Sequence, residues 1–434
     1  MSRTSTRPAM SFERRVLAAI GVLIIGCLIL ALATWLQGTR VRSASLDVVK
    51  VTQRANERLL LQLNQATGAV TAKQVTITPS ASFTATGGGK TIGIQFTQPL
   101  RNNTHYTINI KSTAGRTTSY AFTTGPASFY YVVDVTGGSQ IHKRQLGGDG
   151  KDTMILETDT IQDYVVAGDT IVYIAENAKG DQAVRLYNVV NYEHHELPLP
   201  EKGMVNALSA ATDGGSFGFI FYPSDYRSDR SNTLLTYKFS DPTLRPVAGF
   251  DNKPLKTQEW QFAKNGTTIA VIDINSILML INPDKPPVPF GQFGSIEGFT
   301  YDDSGLIVGD RLAMKQVLDF KTSDLSELPK LPENNYILTA TPLNTESGSV
   351  YRVESYSGTR SSSQLIIVNR QSSKKQIYSA ANDAGYLAFN VLSPNDQYVA
   401  VQLQDNNTEQ TTLKVIDTFT GKKIVQVRGA KVRW

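Results

Sequence analysis

From residue 128 to the C-terminus one phrase recurs: a short polar turn, then an apolar strand. Ala167-Gly168-Asp169 precedes Ile171–Ala175, Asp213-Gly214-Gly215 precedes Phe217–Tyr222, and Lys264-Asn265-Gly266 precedes Thr268–Ile272. The phrase returns at Asp303-Ser304-Gly305, Glu346-Ser347-Gly348 and Pro394-Asn395-Asp396. With Gly168, Gly214, Gly266, Ser304, Ser347 and Asn395 as markers, the spacings are 46, 52, 38, 43 and 48 residues. A period near 45 with room for four strands fits a β-propeller blade, a unit that buries its apolar faces only against neighbours of its own kind.

Six full repeats are visible, and a seventh opens the series. It has Phe129–Val135, Gln140–Leu146 and Thr153–Glu157 but lacks an innermost strand. Elsewhere that strand reads Glu259-Trp260-Gln261-Phe262-Ala263 or Leu387-Ala388-Phe389-Asn390-Val391. The segment 430–434, Ala430-Lys431-Val432-Arg433-Trp434, has the same character and leads into no strand of its own. It is expected to pair with Phe129–Val135 and close a seven-bladed propeller over 128–434, because an open ring leaves unpaired strand edges. Leu392-Ser393-Pro394-Asn395-Asp396-Gln397-Tyr398-Val399-Ala400-Val401 resembles the repeat of TolB-type propellers. Val415-Ile416-Asp417-Thr418-Phe419-Thr420-Gly421-Lys422 is similar to both TolB-type and WD-repeat blades. The resemblance implies a rigid platform for partners and names no activity.

Residues 37–125 carry a different pattern. Strands are expected at Leu46–Val51, Arg58–Leu63, Gln74–Thr78, Thr91–Phe96, Tyr106–Lys111 and Ser119–Thr123, several with period-two alternation. Gly87-Gly88-Gly89 and Ala114-Gly115 are expected to be turns. Leu59-Leu60-Leu61-Gln62-Leu63-Asn64 followed by Val75-Thr76-Ile77-Thr78-Pro79 resembles the first half of bacterial Ig-like domains of the S-layer type. Phe96-Thr97-Gln98-Pro99-Leu100, Tyr106-Thr107-Ile108 and Ala121-Phe122-Thr123-Thr124 resemble the second half. The resemblance implies an extracytoplasmic Ig-like β-sandwich that acts as a spacer.

Ahead of both lies Val16–Leu36, 21 residues without a charge, 12 of them Leu, Ile or Val. At about 1.5 Å per residue it spans roughly 31 Å, close to the hydrocarbon thickness of a bilayer. Trp35 stands where an interfacial aromatic belongs. A transmembrane helix over 16–36 behind a cytoplasmic tail over 1–15 is expected. A cleaved signal peptide would have a shorter apolar run and a small-residue cleavage site, whereas this run ends in Trp35-Leu36-Gln37. Ile24-Ile25-Gly26-Cys27 resembles a lipobox, but Leu28-Ile29-Leu30-Ala31-Leu32 follows where polar residues would be expected. Arg14 and Arg15 on one side are matched by Arg40, Arg42 and Lys50 on the other, so flanking charge does not set the direction. The short N-terminal tail and the surface-type domain favour a body outside the cell membrane.

The net charge of +5 belongs to this segment. Residues 1–42 hold six arginines against Glu13, which leaves 37 basic and 37 acidic residues in the body. A neutral body argues against nucleic acid, whose binding needs a dense cationic face. Cys27 is the one cysteine, so the body has no disulfide framework, thiolate zinc site or thiol nucleophile.

No catalytic, cofactor or metal set emerges. His194-His195 alternate across a strand and cannot easily meet one ion, so a solvated turn is expected there. Gly147-Gly148-Asp149-Gly150 lacks the Lys-Ser/Thr of a phosphate loop, and Asp302-Asp303 are expected to be solvated turn residues. A surface remains. The loops between the second and third strands of a blade share one face with the interblade connections. They are long at Glu176–Gln182, Pro223–Asn232, Ser355–Ser363 and Gln404–Gln410, and carry Tyr226, Arg227, Arg230, Tyr356 and Arg360. Tyr and Arg are enriched at binding hot spots. The expected protein is a non-enzymatic, membrane-anchored scaffold offering this face to a protein or glycan. The alternatives are an envelope-polysaccharide enzyme with carboxylates in the channel, or a structural subunit of an envelope complex. Two or more channel carboxylates spaced for acid–base work would favour the enzyme. A channel of apolar and small groups would favour binding.

Overall fold

The structure, a computed structural model, describes residues 12–36, 38–111, 117–147, 150–225, 227–332, 335–357, 360–369, 373–380, 385–405, 408 and 410–434. Phe12–Leu36 is one helix. The expected span Val16–Leu36 runs past the part of it whose side chains are described, and among the described residues no helix is long and apolar enough to cross a membrane. The described body is nearly all β and divides into two units, the second of which also takes in residues 48–55 and 98–104.

The first unit holds two three-stranded sheets. One is ordered Val41–Ser45, Arg58–Thr71, Phe83–Phe96; the other Val75–Thr78, His105–Lys111, Thr117–Thr123. Alternation decides what each sheet buries: Leu59, Leu61, Leu63, Ile92, Ile94 and Phe96 on one, Val75, Ile77, Tyr106, Ile108 and Phe122 on the other. The rings of Phe96 and Phe122 lie 6.3 Å apart between the two. Two expectations fail here. Leu46–Val51 is no strand; the first strand is Val41–Ser45, and Lys50–Thr52 is a 3-10 turn that buries Val51 in the second unit. Gly87-Gly88-Gly89 is no turn but lies inside Phe83–Phe96, where Gly89 at φ +63° accompanies two breaks of register against Arg58–Thr71. A glycine free to take positive φ serves a bulge as readily as a turn. The expected Ala114-Gly115 turn lies outside the described residues.

The second unit contains seven four-stranded sheets among the described residues. Blade one takes its inner strand, Ala430–Arg433, from the C-terminus; Ala430 pairs with Val132 and Arg433 with Tyr130. The inner strands of blades two to seven are Thr160–Ala167, Gly203–Ala210, Thr257–Phe262, Ser295–Phe299, Asn335–Pro342 and Gly385–Leu392. Seven apolar clusters fill the gaps between consecutive blades. One joins Tyr130, Val132 and Ile141 of blade one to Tyr164, Ile171 and Tyr173 of blade two, and another joins Tyr398, Leu413 and Val415 of blade seven back to Phe129 and Val432 of blade one. The five remaining gaps are filled in the same way.

This geometry explains the apolar runs in the sequence. The second strand of each blade is covered on both faces, so Ile171-Val172-Tyr173-Ile174-Ala175 and Phe217–Phe221 are buried without alternation. Gly218 interrupts the latter because a Cβ there would sit 2.8 Å from the ring of Trp260 in the next blade. That ring donates from its Nε1 to Ala207 O at 2.8 Å. His194-His195 belong to the strand His194–Leu197 rather than to a turn, both exposed, with the His194 ring 4.6 Å from that of Tyr187.

Candidate functional site

Every inner strand breaks register once against its neighbour, between Ile161 and Asp163, Asn206 and Ser209, Thr257 and Glu259, Ile296 and Gly298, Ile337 and Thr339, Leu387 and Phe389, and Ala430 and Arg433. A bulge turns side chains out of the alternation that would bury them between blades. Among the described residues the inner-strand side chains left exposed are Met204, Ala207, Tyr336, Leu338, Tyr386 and Phe389, joined by Thr160 and the amides Gln162, Asn206 and Gln258. Met204, Tyr336 and Tyr386 stand near the strand starts, on the face that carries the interblade connections. Phe250, Ile274, Leu312 and Met314 are exposed in loops of that same face, Leu312 at 84%.

No carboxylate is exposed on these strands among the described residues. Three are partly or wholly buried. Asp163 pairs with Arg433 Nη2 at 2.8 Å across the junction of blades one and two. Glu297 pairs with Lys315; the two side chains are 9% and 7% exposed, and Ala340 N of blade six donates to Glu297 Oε2 at 3.1 Å. A charge pair this deep is held only with its remaining acceptors satisfied. Glu259, on the adjacent inner strand, has its carboxyl pushed up to about 7, chiefly by burial and further by the charge of Glu297, against a hydrogen bond from the Ile296 backbone.

The opposite face is made by the turns between first and second strands. There Asp303 of blade five accepts from Lys264 N at 3.0 Å and Asn265 N at 2.9 Å of blade four. Asp396 of blade seven accepts from Thr345 N and Thr345 Oγ1 of blade six at 2.7 Å each, and from Asn344 N. Burial raises both carboxyls. Asp302 stays within its own turn and accepts from Ser304 Oγ at 2.8 Å. The expectation of two solvated turn acids therefore fails for Asp303, which clamps blade to blade. Lys264 Nζ reaches past blade five to Leu343 O at 3.1 Å.

Residues 98–104 sit on these turns. Asn395 Nδ2 donates to Leu100 O at 2.9 Å and to Asn102 Oδ1 at 2.6 Å, and Asn102 N donates to Gln397 Oε1 at 2.7 Å. The Arg101 guanidinium lies 4.0 Å from the centre of the Phe419 ring. At blade seven this face is occupied by the unit's own chain.

The residues expected from sequence do not form a described cluster. Tyr226 lies outside the described residues. Arg227 and Arg230 are exposed in the loop after Ser216–Pro223, and Arg230 Nη1 is 3.7 Å from Glu201 Oε1. Ser355–Ser363 is no loop: the strands Gly348–Ser357 and Arg360–Asn369 run to the hairpin tip, with Tyr356 opposite Ser361 and Ser357 opposite Arg360. Ser, Thr and Tyr favour extended chain, which lets the ladder continue. The side chains of Tyr356 and Arg360 lie outside the described residues. The exposed apolar rim leaves only a faint trace in the sequence. Its signal was an apolar residue inside a polar turn, as in Asp273-Ile274-Asn275 and Arg311-Leu312-Ala313-Met314.

No family model matches the chain. No curated protein is found similar to it. Solved structures are. One is a Lactobacillus plantarum protein, 13% identical, TM-score 0.48, covering 71% of this chain and 99% of that one. TolB from Acinetobacter baumannii is 13% identical, TM-score 0.40, covering 77% and 79%. A structure from a study of two prolyl endopeptidases is 11% identical, TM-score 0.51, covering 77% of this chain and 49% of that one. At these identities the likeness concerns fold alone. Seven four-stranded sheets in a closed series make the second unit a β-propeller.

Proposed function

We propose that the chain is a membrane-anchored, extracytoplasmic binding protein that offers the interblade-connection face of its propeller to a protein or glycan partner. One observation carries the reading: among the described residues the exposed inner-strand side chains are uncharged, with Met204, Leu338, Tyr336, Tyr386 and Gln258 among them. Such a lining suits desolvation and hydrogen bonding rather than acid–base work. Asp163 and Glu297 are each neutralised by a cation of the same unit. On the opposite face the turn of blade seven is already engaged by residues 98–104, so the interblade-connection face is the one read as the partner surface. The uncharged run Val16–Leu36 supports the anchor, and the resemblance of residues 43–125 to Ig-like surface domains supports a spacer outside the cell.

Glu259 and Glu297, electrostatically coupled on adjacent inner strands, favour a second reading: an enzyme acting on envelope polysaccharide, with Glu259 as the acid. The test for binding is recovery of partners from mild-detergent membranes by wild type and by Leu338→Asp/Tyr386→Ala. Loss of a stoichiometric partner at unchanged melting temperature supports the binding face. Equal recovery rejects it. Cleavage of cell-wall polymer by wild type and not by Glu259→Gln would establish the enzyme instead. Protease digestion of intact cells checks the anchor, since an external body is cut without lysis.

A further inference from the structure

The first unit carries an unguarded sheet edge. Thr117–Thr123 pairs on one side with His105–Lys111 in unbroken register, from His105 opposite Thr123 to Lys111 opposite Thr117. No strand pairs with its other side among the described residues. Soluble proteins guard such edges with lysine, proline, bulges or shortness. Thr-Thr-Ser-Tyr-Ala-Phe-Thr has no charge, no proline and no bulge over seven residues. The neighbouring edge strand of the other sheet, Val41–Ser45, is guarded: it is five residues long and breaks register between Val41 and Ser43.

A groove of about 590 Å³ runs between these two edges, lined by residues 39–44 and 117–121. Thr118 Oγ1 donates to Thr39 O at 3.0 Å and ties its walls together at one point. Its lining holds Arg40 and Arg42, both exposed, and no carboxylate. A strand added to Thr117–Thr123 supplies the missing backbone partners.

We propose that this groove takes an extended, acidic segment of another polypeptide, added as a strand to Thr117–Thr123 with its carboxylates against Arg40 and Arg42. Charge selects against a second copy of this chain, which would bring its own arginines to the same place. The site is separate from the propeller face and stands or falls independently of it.

The test uses the full chain in detergent micelles and a fluorescent peptide alternating Glu and Val. Binding is read by anisotropy, and amide exchange over residues 117–123 by mass spectrometry. The peptide should bind and slow exchange there. Methylating its alternate backbone nitrogens, or making Arg40→Glu/Arg42→Glu, should weaken binding by about tenfold or more. Both arginines are exposed, so the variant should keep the wild-type melt. Four results would each overturn the proposal: no binding, equal binding of the methylated peptide, equal binding of a peptide with Lys in place of Glu, or protection of 117–123 without peptide in a protein that sediments as a dimer.

Discussion

Removing residues 430–434 should open the ring, and the structure sets the size of the effect. Val432 is fully buried between blades seven and one. The Trp434 ring lies 5.8 Å from that of Phe129 and stacks on Tyr398 at 6.0 Å. Arg433 holds Asp163 at 2.8 Å and donates from Nε to Tyr164 O at 3.0 Å, both in blade two. Loss of the valine costs about 2 kcal/mol and loss of the half-buried indole about the same. Breaking the ion pair strands Asp163, and Ser128–Val135 gains an open edge. The expected loss is about 5 kcal/mol, which for a domain of this size lowers the propeller's melting temperature by about 10 °C. Scanning calorimetry of the full chain in detergent reads it directly. Val432→Ala keeps the strand and should cost about 2 kcal/mol, hence about 4 °C. A truncated chain melting within about 2 °C of wild type would refute the closure argument.

Other consequences follow from buried charge and close approach. The Glu259 carboxyl titrates near 7 in the fold against 4.5 in the free side chain, so the folded state holds its proton more tightly. Stability must then fall as pH rises between those values, and Glu259→Gln should exceed wild type by up to about 3 kcal/mol at pH 8 and match it at pH 4. Parallel stability curves would contradict this. Asp396→Ala deprives Thr345 N and Oγ1 and Asn344 N of their acceptor and should cost about 3 kcal/mol in urea denaturation, with little change in the slope. Gly218→Ala places a Cβ 2.8 Å from both Leu235 O and the Trp260 ring and should cost about 1–3 kcal/mol in the same assay.

Much of the architecture is legible in the residues because it is local. A polar turn followed by Ile171–Ala175 or Phe217–Tyr222 is a strand in whatever company it folds, and repeating it at a blade's period leaves few ways to cover both its faces. The site is legible only in part. Tyr356 and Arg360 count as loop residues only if Ser355–Ser363 is a loop, and there the hairpin simply continues.

By itself the sequence determined the strand repeat, the apolar run at Val16–Leu36, the neutral body and the absence of cysteine beyond Cys27. Tertiary structure alone decided what the two faces of the propeller present. It seated residues 98–104 on the turns of Asn395 and Gln397, sent Asp303 and Asp396 into neighbouring blades, and bulged each inner strand so that Leu338 and Phe389 stay exposed. The reason is physical. Strand propensity acts over a few residues, whereas exposure at the axis depends on packing between blades dozens of residues apart, and no local pattern records it.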